Sequence, residues 1–307
     1  MLDTKNNKPR VSIGLPVYNG ENYLKDAINS IMAQTFTDFE LIISDNASTD
    51  RTSEICKAYA EKDMRIHYYR AEKNLGAAWN FNRVFELSAG EYFKWVAHDD
   101  LVAPDYLSKC IEVLDNDDSI ILCNSKVEFI NEYGEVIAAY IMKQNNVNSR
   151  KSQDRFGYLI YFNHFCFDVF GLIRSDVLRK TTLIKSYPGS DRALLAELSL
   201  IGRFYEIPQF LFLHREHEER STRAYSNLQL RAGWFDTSKE GKITLPRWRI
   251  FFEYLISVNH YSLGMYDRAC CYAHLGNWLR MYYRGMAKEL IFAFKYSLSY
   301  DSKDKIK

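Results

Sequence analysis

The sequence has no long hydrophobic run, no excess of either charge and no paired cysteine motif. Charged side chains interrupt each apolar stretch before it reaches the roughly 18 residues of a membrane-spanning helix, so no such helix is expected. Lys and Arg total 40 against 39 Asp and Glu, which excludes a whole-chain field that would recruit nucleic acid. The six cysteines lack CxxC spacing and the N-terminus lacks a signal-peptide pattern. We therefore expect reduced thiols and a cytoplasmic protein, with peripheral attachment to the inner face of the membrane left open.

Aromatic residues, in contrast, are abundant. They make up 15% of the 307 residues, include 22 tyrosines and concentrate after Phe156. Aromatic side chains are typical of surfaces that stack against carbohydrate, and they are equally typical of an aromatic core. Both interpretations stay open at this point.

The first part of the chain alternates between two hydrophobic patterns. Apolar runs predict strands, and periodic apolar residues between them predict helices; the strand predictions are residues 11–17, 39–44, 65–69 and 92–97. Strands that alternate with helices favour an α/β fold with a mixed, mostly parallel sheet flanked by helices. We predict such a domain over residues 1–226 and a helical C-terminal extension over residues 227–307.

Several later segments have less regular patterns. Residues 165–173 and 204–213 predict two further strands, and the polar, Asn-rich residues 138–152 predict a mobile loop over the site. In the C-terminal extension, arginines and aromatic residues share the predicted helices at 247–260 and 267–283. This pattern suits a membrane surface, and it also suits helices that pack on the first domain or on a second copy.

The most informative stretch is residues 91–100, where an apolar strand ends abruptly at His98, Asp99 and Asp100. In α/β sheets, ligands bind beyond the carboxyl ends of the strands. Two adjacent carboxylates repel each other there unless a cation lies between them and a substrate. Hard oxygen ligands in an open site favour Mg²⁺ or Mn²⁺. The alternative is that both acids cap the helix that begins near Pro104.

Three segments, taken together and in this order, resemble the motifs of one family. They are Pro16-Val17-Tyr18-Asn19, Asp45-Asn46-Ala47-Ser48-Thr49-Asp50 and His98-Asp99-Asp100. The chain thus resembles the family 2 glycosyltransferases, which have the GT-A fold. Such enzymes transfer a sugar from a nucleotide-sugar to an acceptor hydroxyl with inversion, usually with Mn²⁺ or Mg²⁺. The resemblance implies this activity in polysaccharide or lipid-linked glycan synthesis, with a UDP-sugar as first choice of donor and dTDP- and GDP-sugars behind it.

The resemblance also implies a nucleotide-binding set. By this match, Asp45 is the carboxylate that accepts a hydrogen bond from a uracil ring, and Gly76 permits close backbone approach to the nucleotide. A packed aromatic at Tyr18 and a simple helix-entry turn at Asn74 and Gly76 are the alternatives. The full predicted set is Pro16, Val17, Tyr18, Asp45, Asn74, Gly76, His98 and Asp99.

The metal motif departs from the family pattern. Ala97 stands where the family has its first acid, so the resemblance implies Asp99 as the main metal ligand and Asp100 as the second. A histidine after the last core strand, His217, is implied as the third ligand, with a solvated loop residue as the alternative.

An inverting transferase needs one general base, placed across the anomeric carbon from the leaving diphosphate. The resemblance implies Asp191, at the start of a helix after a Pro-Gly-Ser turn, with a plain helix N-cap as the alternative. Arg215, Arg220 and Arg223 are predicted to neutralise the leaving diphosphate. The alternative is an exposed, charge-balanced loop, since three glutamates lie between them.

Two other functions stay open. An inactive GT-A-like scaffold that binds carbohydrate or nucleotide would explain Ala97, and a nucleotidyltransferase would need a basic, Gly-rich loop that residues 15–20 lack. The expected partners are a nucleotide-sugar and a glycan or lipid-linked acceptor, with membrane contact or a second copy through the C-terminal helices. If the main interpretation holds, Asp45, Asp99 and Asp191 should share one cleft.

Overall fold

The computed structural model describes residues 8–141, 146–161, 164–224 and 227–304. Within these ranges one mixed sheet holds nine strands, in the order β3-β2-β1-β4-β8-β6-β9-β5 with β7 beside β6. The strands are β1 Val11–Val17, β2 Phe39–Asp45, β3 Ile66–Arg70, β4 Tyr92–Trp95, β5 Leu101–Val102, β6 Ile120–Ile130, β7 Val136–Tyr140, β8 Leu172–Arg174 and β9 Arg203–Arg215.

Helices connect and cover these strands. They are α1 Leu24–Met32, α2 Thr52–Ala60, α3 Ala77–Glu86, α4 Tyr106–Asn116, α5 Ser152–Tyr161, α6 Ser175–Leu178, α7 Ser190–Ile201, α8 Ser221–Ala224, α9 Leu228–Phe235, α10 Pro246–His260 and α11 Met265–Asp304. Short 3₁₀ helices lie at Phe167–Phe170 and Thr237–Lys239.

The predicted α/β class is confirmed. The pairs β3-β2, β2-β1 and β1-β4 are parallel, so their carboxyl ends lie along one edge of the sheet. The short strand β8 then runs antiparallel between β4 and β6, and β6 pairs in parallel with β9. This edge is where an α/β sheet offers a ligand site.

The two faces of the sheet bury different helices, because successive strand residues point to opposite sides. Ile13 and Leu15 of β1 pack in the core that contains α1, α2 and α4. Phe93 and Trp95 of β4 pack in a second core with α3, α5 and α7. Gly14 allows α3 to lie directly on β1, since a Cβ there would be 2.6 Å from a methyl carbon of Val84.

The helical C-terminal part packs on the sheet-containing part. Tyr254 of α10 and Trp278 of α11 share a core with Phe156 of α5 and residues of α7, while α9 lies against α3. Trp278 is thus buried, and Arg247 pairs with Glu289 at 2.9 Å, so these helices pack on the first domain as one of the alternatives predicted. A membrane-facing surface on the rest of these helices stays a prediction. In the described part of the chain, no helix is both long enough and apolar enough to cross a membrane.

Two local predictions were wrong in part. The apolar run at 165–173 is not one strand, because Cys166 has a φ of +60° and Phe167–Phe170 forms a 3₁₀ helix before β8. The predicted loop at 138–152 contains the end of β7, which pairs with β6 as a hairpin, and the start of α5. Residues 142–145 of that segment lie outside the described residues.

Candidate active site

A cleft of about 860 Å³ opens at the carboxyl ends of β1 and β4. It is bounded by the loops after these strands, the start of α7, the segment after β9 and α9. Its lining includes, of the residues predicted from sequence, Pro16, Val17, Tyr18, Asn74, His98, Asp99, Asp100, Asp191 and His217. Asp45 and Gly76 do not line it.

The loop after β1 is held by the motif that follows β2. The amide of Asn19 donates to Ser48 Oγ at 2.9 Å, and the amide of Gly20 donates to Thr52 Oγ1 at 2.8 Å. The amide of Glu21 donates to Asp50 Oδ2 at 3.0 Å. These bonds satisfy the backbone of a tight loop and leave Tyr18 38% exposed at the cleft. The second segment therefore holds the first in place through side-chain acceptors.

Asp45 is fully buried behind this loop. Its Oδ1 accepts from the Ser48 amide at 2.8 Å, and its Oδ2 accepts from Tyr68 Oη at 2.8 Å and Arg70 Nε at 3.2 Å. The expectation that three acids share one cleft is therefore corrected: Asp99 and Asp191 line it, and Asp45 does not. A carboxylate at the end of a strand gives the same sequence pattern whether it faces a ligand or packs against other residues of the protein.

The turn at Asn74 and Gly76 lies between the end of β2 and the end of α9 and contacts both. Asn46 Nδ2 donates to Asn74 Oδ1 at 2.9 Å and to the Gly76 carbonyl at 3.1 Å. Gly76 has a φ of +92°, and a Cβ there would lie 2.5 Å from the Phe235 carbonyl oxygen. The close approach that this glycine permits is thus to the backbone at the end of α9. Its predicted contact with a nucleotide stays a prediction.

The three predicted metal ligands do not form one cluster. Asp99 Oδ2 lies 2.9 Å from His217 Nε2, whereas Asp100 Oδ1 lies 2.8 Å from His214 Nδ1 and accepts from the Arg215 amide at 3.0 Å. Among the described residues, no group of three or more His, Cys, Asp or Glu side chains is arranged to hold a metal ion. Of the predicted set, Asp99 and His217 are in contact, whereas Asp100 Oδ1 has other partners. The role of these residues as metal ligands stays a prediction.

The charges of these two pairs are set by their surroundings. Burial works to raise the pKa of Asp99, but the nearby His98 and the hydrogen bond from His217 outweigh it and hold that pKa well below its usual range. Burial works to lower the pKa of His214, and the adjacent Asp100 carboxylate raises it overall. Asp99 is therefore a firmly ionised carboxylate at the cleft.

Arg215 is buried beneath the same loop, with 1% of its surface exposed. Its Nε donates to the Asp99 carbonyl at 2.9 Å, its Nη1 donates to the Glu132 carbonyl at 2.9 Å, and its guanidinium lies 4.8 Å from the Tyr23 ring centroid. The prediction that Arg215 neutralises a leaving diphosphate is wrong, because its donors are used inside the protein. Arg220 lines the cleft and pairs with Glu216.

Asp191 lies in the first turn of α7, across the cleft from the strand ends. The helix follows Gly189, which has a φ of +89°, and Asp191 Oδ1 accepts from the Arg192 amide at 2.8 Å. Burial, and then the nearby Asp191 carboxylate, raises the pKa of the Cys166 thiol. Asp191 is partly exposed and lines the cleft, which is the placement that a general base requires.

Asp168, next to the cleft, is a buried acid that the sequence interpretation missed. Its Oδ1 accepts from Asn124 Nδ2 at 2.7 Å. Burial, and then repulsion from Glu206, raises the pKa of Asp168 from 3.8 to about 6. The sequence carried no signal for it, because an Asp within an aromatic run looks like a surface residue of a strand.

This raised pKa predicts a pH-dependent effect of Asp168→Asn on stability. A carboxyl with a raised pKa in the folded state contributes stability that is fully present below its unfolded pKa and is lost as the pH rises through about 6. Asparagine stays neutral and can still accept from Asn124. We expect the variant to be more stable than the native chain at pH 8 by about 3 kcal/mol, with little difference at pH 4.

Urea unfolding at both pH values measures this difference. Asp118→Asn is the matched control, since the Asp118 side chain is fully exposed and should give the same small change at both pH values. A difference for Asp168→Asn that does not grow between pH 4 and pH 8 would contradict the assignment.

The sequence profile of Glycosyl transferase family 2 matches residues 12–182, which is more than half of the chain. The chain belongs to this family. The match includes every motif on which the resemblance was based and ends before α7.

Curated relatives of this family 2 chain extend the match. It is 28% identical over 228 residues to an uncharacterized glycosyltransferase of Haemophilus influenzae, covering 73% of this chain and 70% of the relative. An uncharacterized glycosyltransferase of Rickettsia typhi is 35% identical over 48% of this chain and 44% of its own length. The putative teichuronic acid biosynthesis glycosyltransferase TuaG of Bacillus subtilis is 38% identical over 35% of this chain and 42% of its own length. The chain thus spans less than half the length of several of these relatives.

Two solved structures share the fold. S. aureus TarS 1-349 in complex with UDP-GlcNAc superposes with a TM-score of 0.64 at 15% identity, covering 90% of this chain and 73% of that one. The mannosyltransferase PcManGT from Pyrobaculum calidifontis, in complex with GDP-Man and Mn²⁺, gives a TM-score of 0.53 at 15% identity, covering 95% of this chain and 81% of that one. These likenesses confirm the predicted GT-A fold.

The donor atoms of this family 2 chain suit a divalent ion held by two protein ligands. Asp99 and His217 offer one carboxylate and one imidazole in contact, a set that Mn²⁺ accepts. Asp100 Oδ2 is buried and has no hydrogen-bond partner within the described ranges, so a second carboxylate oxygen is unused in the adjacent residue. Oxygen atoms of a bound phosphate group and of water would fill the remaining coordination positions, as is common for Mg²⁺ and Mn²⁺ at phosphate-binding sites.

Sequence interpretation also missed Asn80, which is 3% exposed at the base of the cleft. Its Nδ2 donates to the carbonyls of Val17 at 3.2 Å and Ser44 at 2.9 Å, and so ties the ends of β1 and β2 together. One sequence signal could have identified Asn80: it is a polar residue on the inward face of the helix predicted at α3.

Proposed function

We propose that this chain is an inverting glycosyltransferase that moves a sugar from a nucleotide-sugar to an acceptor hydroxyl in polysaccharide or lipid-linked glycan synthesis. A UDP-sugar is the first choice of donor, with dTDP- and GDP-sugars behind it. The observation that carries the proposal is that an ionised carboxylate, Asp99, and a partly exposed acid on a different element, Asp191, line the same cleft.

The donor end of the cleft is assigned to the strand ends. The nucleoside would lie against Pro16, Val17 and Tyr18, with Asn74 and His98 beside it. Asp45 would take part in base recognition only if a base donor displaced one of its internal partners, such as Tyr68. Asp99 and His217 would hold Mn²⁺ or Mg²⁺, which neutralises charge on the diphosphate when it is bound.

The acceptor end is assigned to α7. Asp191 accepts the proton of the acceptor hydroxyl as its oxygen forms the new bond to the anomeric carbon, and the bond from that carbon to the diphosphate oxygen breaks. Attack and departure on opposite faces of the sugar invert the anomeric centre. One base is enough, so the absence of a first acid at Ala97 affects the metal end and leaves this step intact.

The relatives support the substrate classes. TarS was solved with UDP and with UDP-GlcNAc, PcManGT with GDP-Man and Mn²⁺, and TuaG is named for teichuronic acid biosynthesis. The two solved structures support a nucleotide-sugar donor, and the name of TuaG supports a role in the synthesis of a glycan. Membrane contact or self-association through the C-terminal helices stays a prediction.

Metal-dependent UDP binding tests this proposal. We expect calorimetric titration of the native chain with UDP to give at least tenfold tighter binding with Mn²⁺ than with EDTA, because an ion held by Asp99 and His217 would neutralise charge on the diphosphate. Asp99→Asn should lose this difference, and a panel of nucleotide-sugars should include one that the native chain hydrolyses slowly without acceptor.

Asp105→Asn is the matched control. Asp105 lies shortly after Asp99 in the chain, but it pairs with Lys109 at the surface and does not line the cleft. It should keep the metal effect. Absence of UDP binding, with or without Mn²⁺, would contradict the proposal and favour an inactive scaffold.

A further inference from the structure

One aromatic side chain lies exposed beside the proposed base. Phe165 lines the cleft and is 58% exposed, although it belongs to a cluster of rings that is otherwise largely covered. Single exposed apolar residues are common on protein surfaces, so its exposure alone indicates no function. Its rigidity and its position in the cleft are the informative features.

The ring of Phe165 is held in one orientation by its neighbours. It stacks on Phe167 with a centroid distance of 5.4 Å and an interplanar angle of 15°. Tyr140 and Phe129 meet it edge-on, at centroid distances of 5.4 Å and 5.9 Å. Phe167 covers one face of the ring, and the exposure of Phe165 therefore lies on the opposite side. A flat apolar surface that is fixed in advance loses little entropy when a ligand stacks on it.

The cluster lies between the two ends of the candidate active site. Phe167 is 4.8 Å, centroid to centroid, from His214, which pairs with Asp100. Cys166, which follows Phe165 in the chain, lies near enough to Asp191 that, after burial, the charge of this carboxylate raises the pKa of the thiol, and all three residues line the cleft. A group that stacks on Phe165 would thus be close to the proposed base.

The surroundings of Phe165 also limit the charge of such a group. A small hollow beside it is lined by Ser125, Asp168 and Glu206, among other residues. Asp168 and Ser125 are buried, so the two acids act on such a group through their negative charge, which disfavours a uronate or a phosphate. The face of a pyranose that carries its C–H bonds matches an aromatic ring.

We infer that Phe165 stacks against the apolar face of a neutral acceptor sugar and presents its hydroxyl to Asp191. The inference rests on the proposed function and specifies its acceptor as a neutral saccharide. It also gives both interpretations of the aromatic residues a place in this region. Phe129, Tyr140 and Phe167 pack as a core, and Phe165 forms the surface that contacts the sugar.

Binding of simple glycosides tests this without knowledge of the natural acceptor. The probes are methyl glycosides of glucose, galactose, mannose and N-acetylglucosamine, with methyl glucuronide as the acidic counterpart. Saturation-transfer NMR with the full chain should give signals from at least one neutral probe, and these should weaken about tenfold in affinity in Phe165→Ala. Phe165→Trp should retain them.

Phe252→Ala is the matched control, because Phe252 is 48% exposed, stacks on Trp248 and lies outside the cleft lining. It should bind the glycosides as the native chain does. Three results would each overturn the inference. They are equal glycoside binding by the native chain and Phe165→Ala, no binding of any neutral probe, and binding of methyl glucuronide as tight as that of a neutral probe. UDP titrations in parallel distinguish a failure of this inference from a failure of the proposed function. If the native chain binds UDP, the proposed function stands even when the Phe165 inference fails. If the native chain does not bind UDP, the proposed function itself is contradicted.

Discussion

Asp191→Asn is expected to reduce sugar transfer by about 10²- to 10⁴-fold while UDP binding stays within twofold of the native value. The amide keeps the size of the side chain and can still accept from the Arg192 amide, as Asp191 Oδ1 does at 2.8 Å. It cannot take the proton of an acceptor hydroxyl. The loss should therefore appear in kcat, with the nucleotide end of the cleft unaffected.

This experiment also separates catalysis from helix capping. A carboxylate in the first turn of a helix stabilises it by about 0.3–1 kcal/mol, so a purely structural Asp191 would cost a little stability and no turnover. Asp176→Asn makes the same change in the first turn of α6, where Asp176 pairs with Lys180 at 3.4 Å and does not line the cleft. Initial rates and thermal unfolding of both variants give the comparison. If Asp191→Asn retained near-native turnover, the base assignment would be lost.

The sequence predicted the sheet-forming half of the fold well, because its elements are coded locally. The strand predicted at 11–17 is β1 Val11–Val17, and the helix predicted after the Pro-Gly-Ser turn is α7. At residues 165–173, where the strand prediction failed, a single residue with unusual backbone geometry decided the outcome. Cys166, with a φ of +60°, interrupts an alternating aromatic pattern that is otherwise typical of a strand.

The site was less predictable, because a motif identifies residue types and leaves their directions open. Asp99 and Asp100 are adjacent acids at one strand end, yet one faces His217 and the other faces His214. Asp45 carries the same signal and is buried against Tyr68. Arg215 looked like a solvated cation in a polar segment and is among the most buried side chains. Each outcome depends on partners more than 20 residues away in the sequence.

Arg215→Ala is expected to lower the free energy of unfolding by about 3–5 kcal/mol, the usual effect of removing one member of a buried charged network. The guanidinium joins three parts of the chain: it donates to the Asp99 carbonyl at 2.9 Å and the Glu132 carbonyl at 2.9 Å, and it lies 3.3 Å from Asp26 Oδ2 of α1. Alanine leaves both carbonyls without these donors. Arg215→Lys should recover only part of the loss, because one ammonium group cannot reach all three acceptors.

Urea unfolding at neutral pH measures the effect, with Arg51→Ala as the matched control. Arg51 pairs with Glu54 at 3.2 Å, but both side chains are more than two-thirds exposed, so this change should stay within about 0.5 kcal/mol. Because Arg215 holds the backbone of Asp99, the lysine variant should also bind UDP less tightly in Mn²⁺ than the native chain, even at temperatures where it is fully folded. Native-like stability and native-like UDP affinity in Arg215→Ala would mean that the loop carrying Asp99 is held by the strand ends alone.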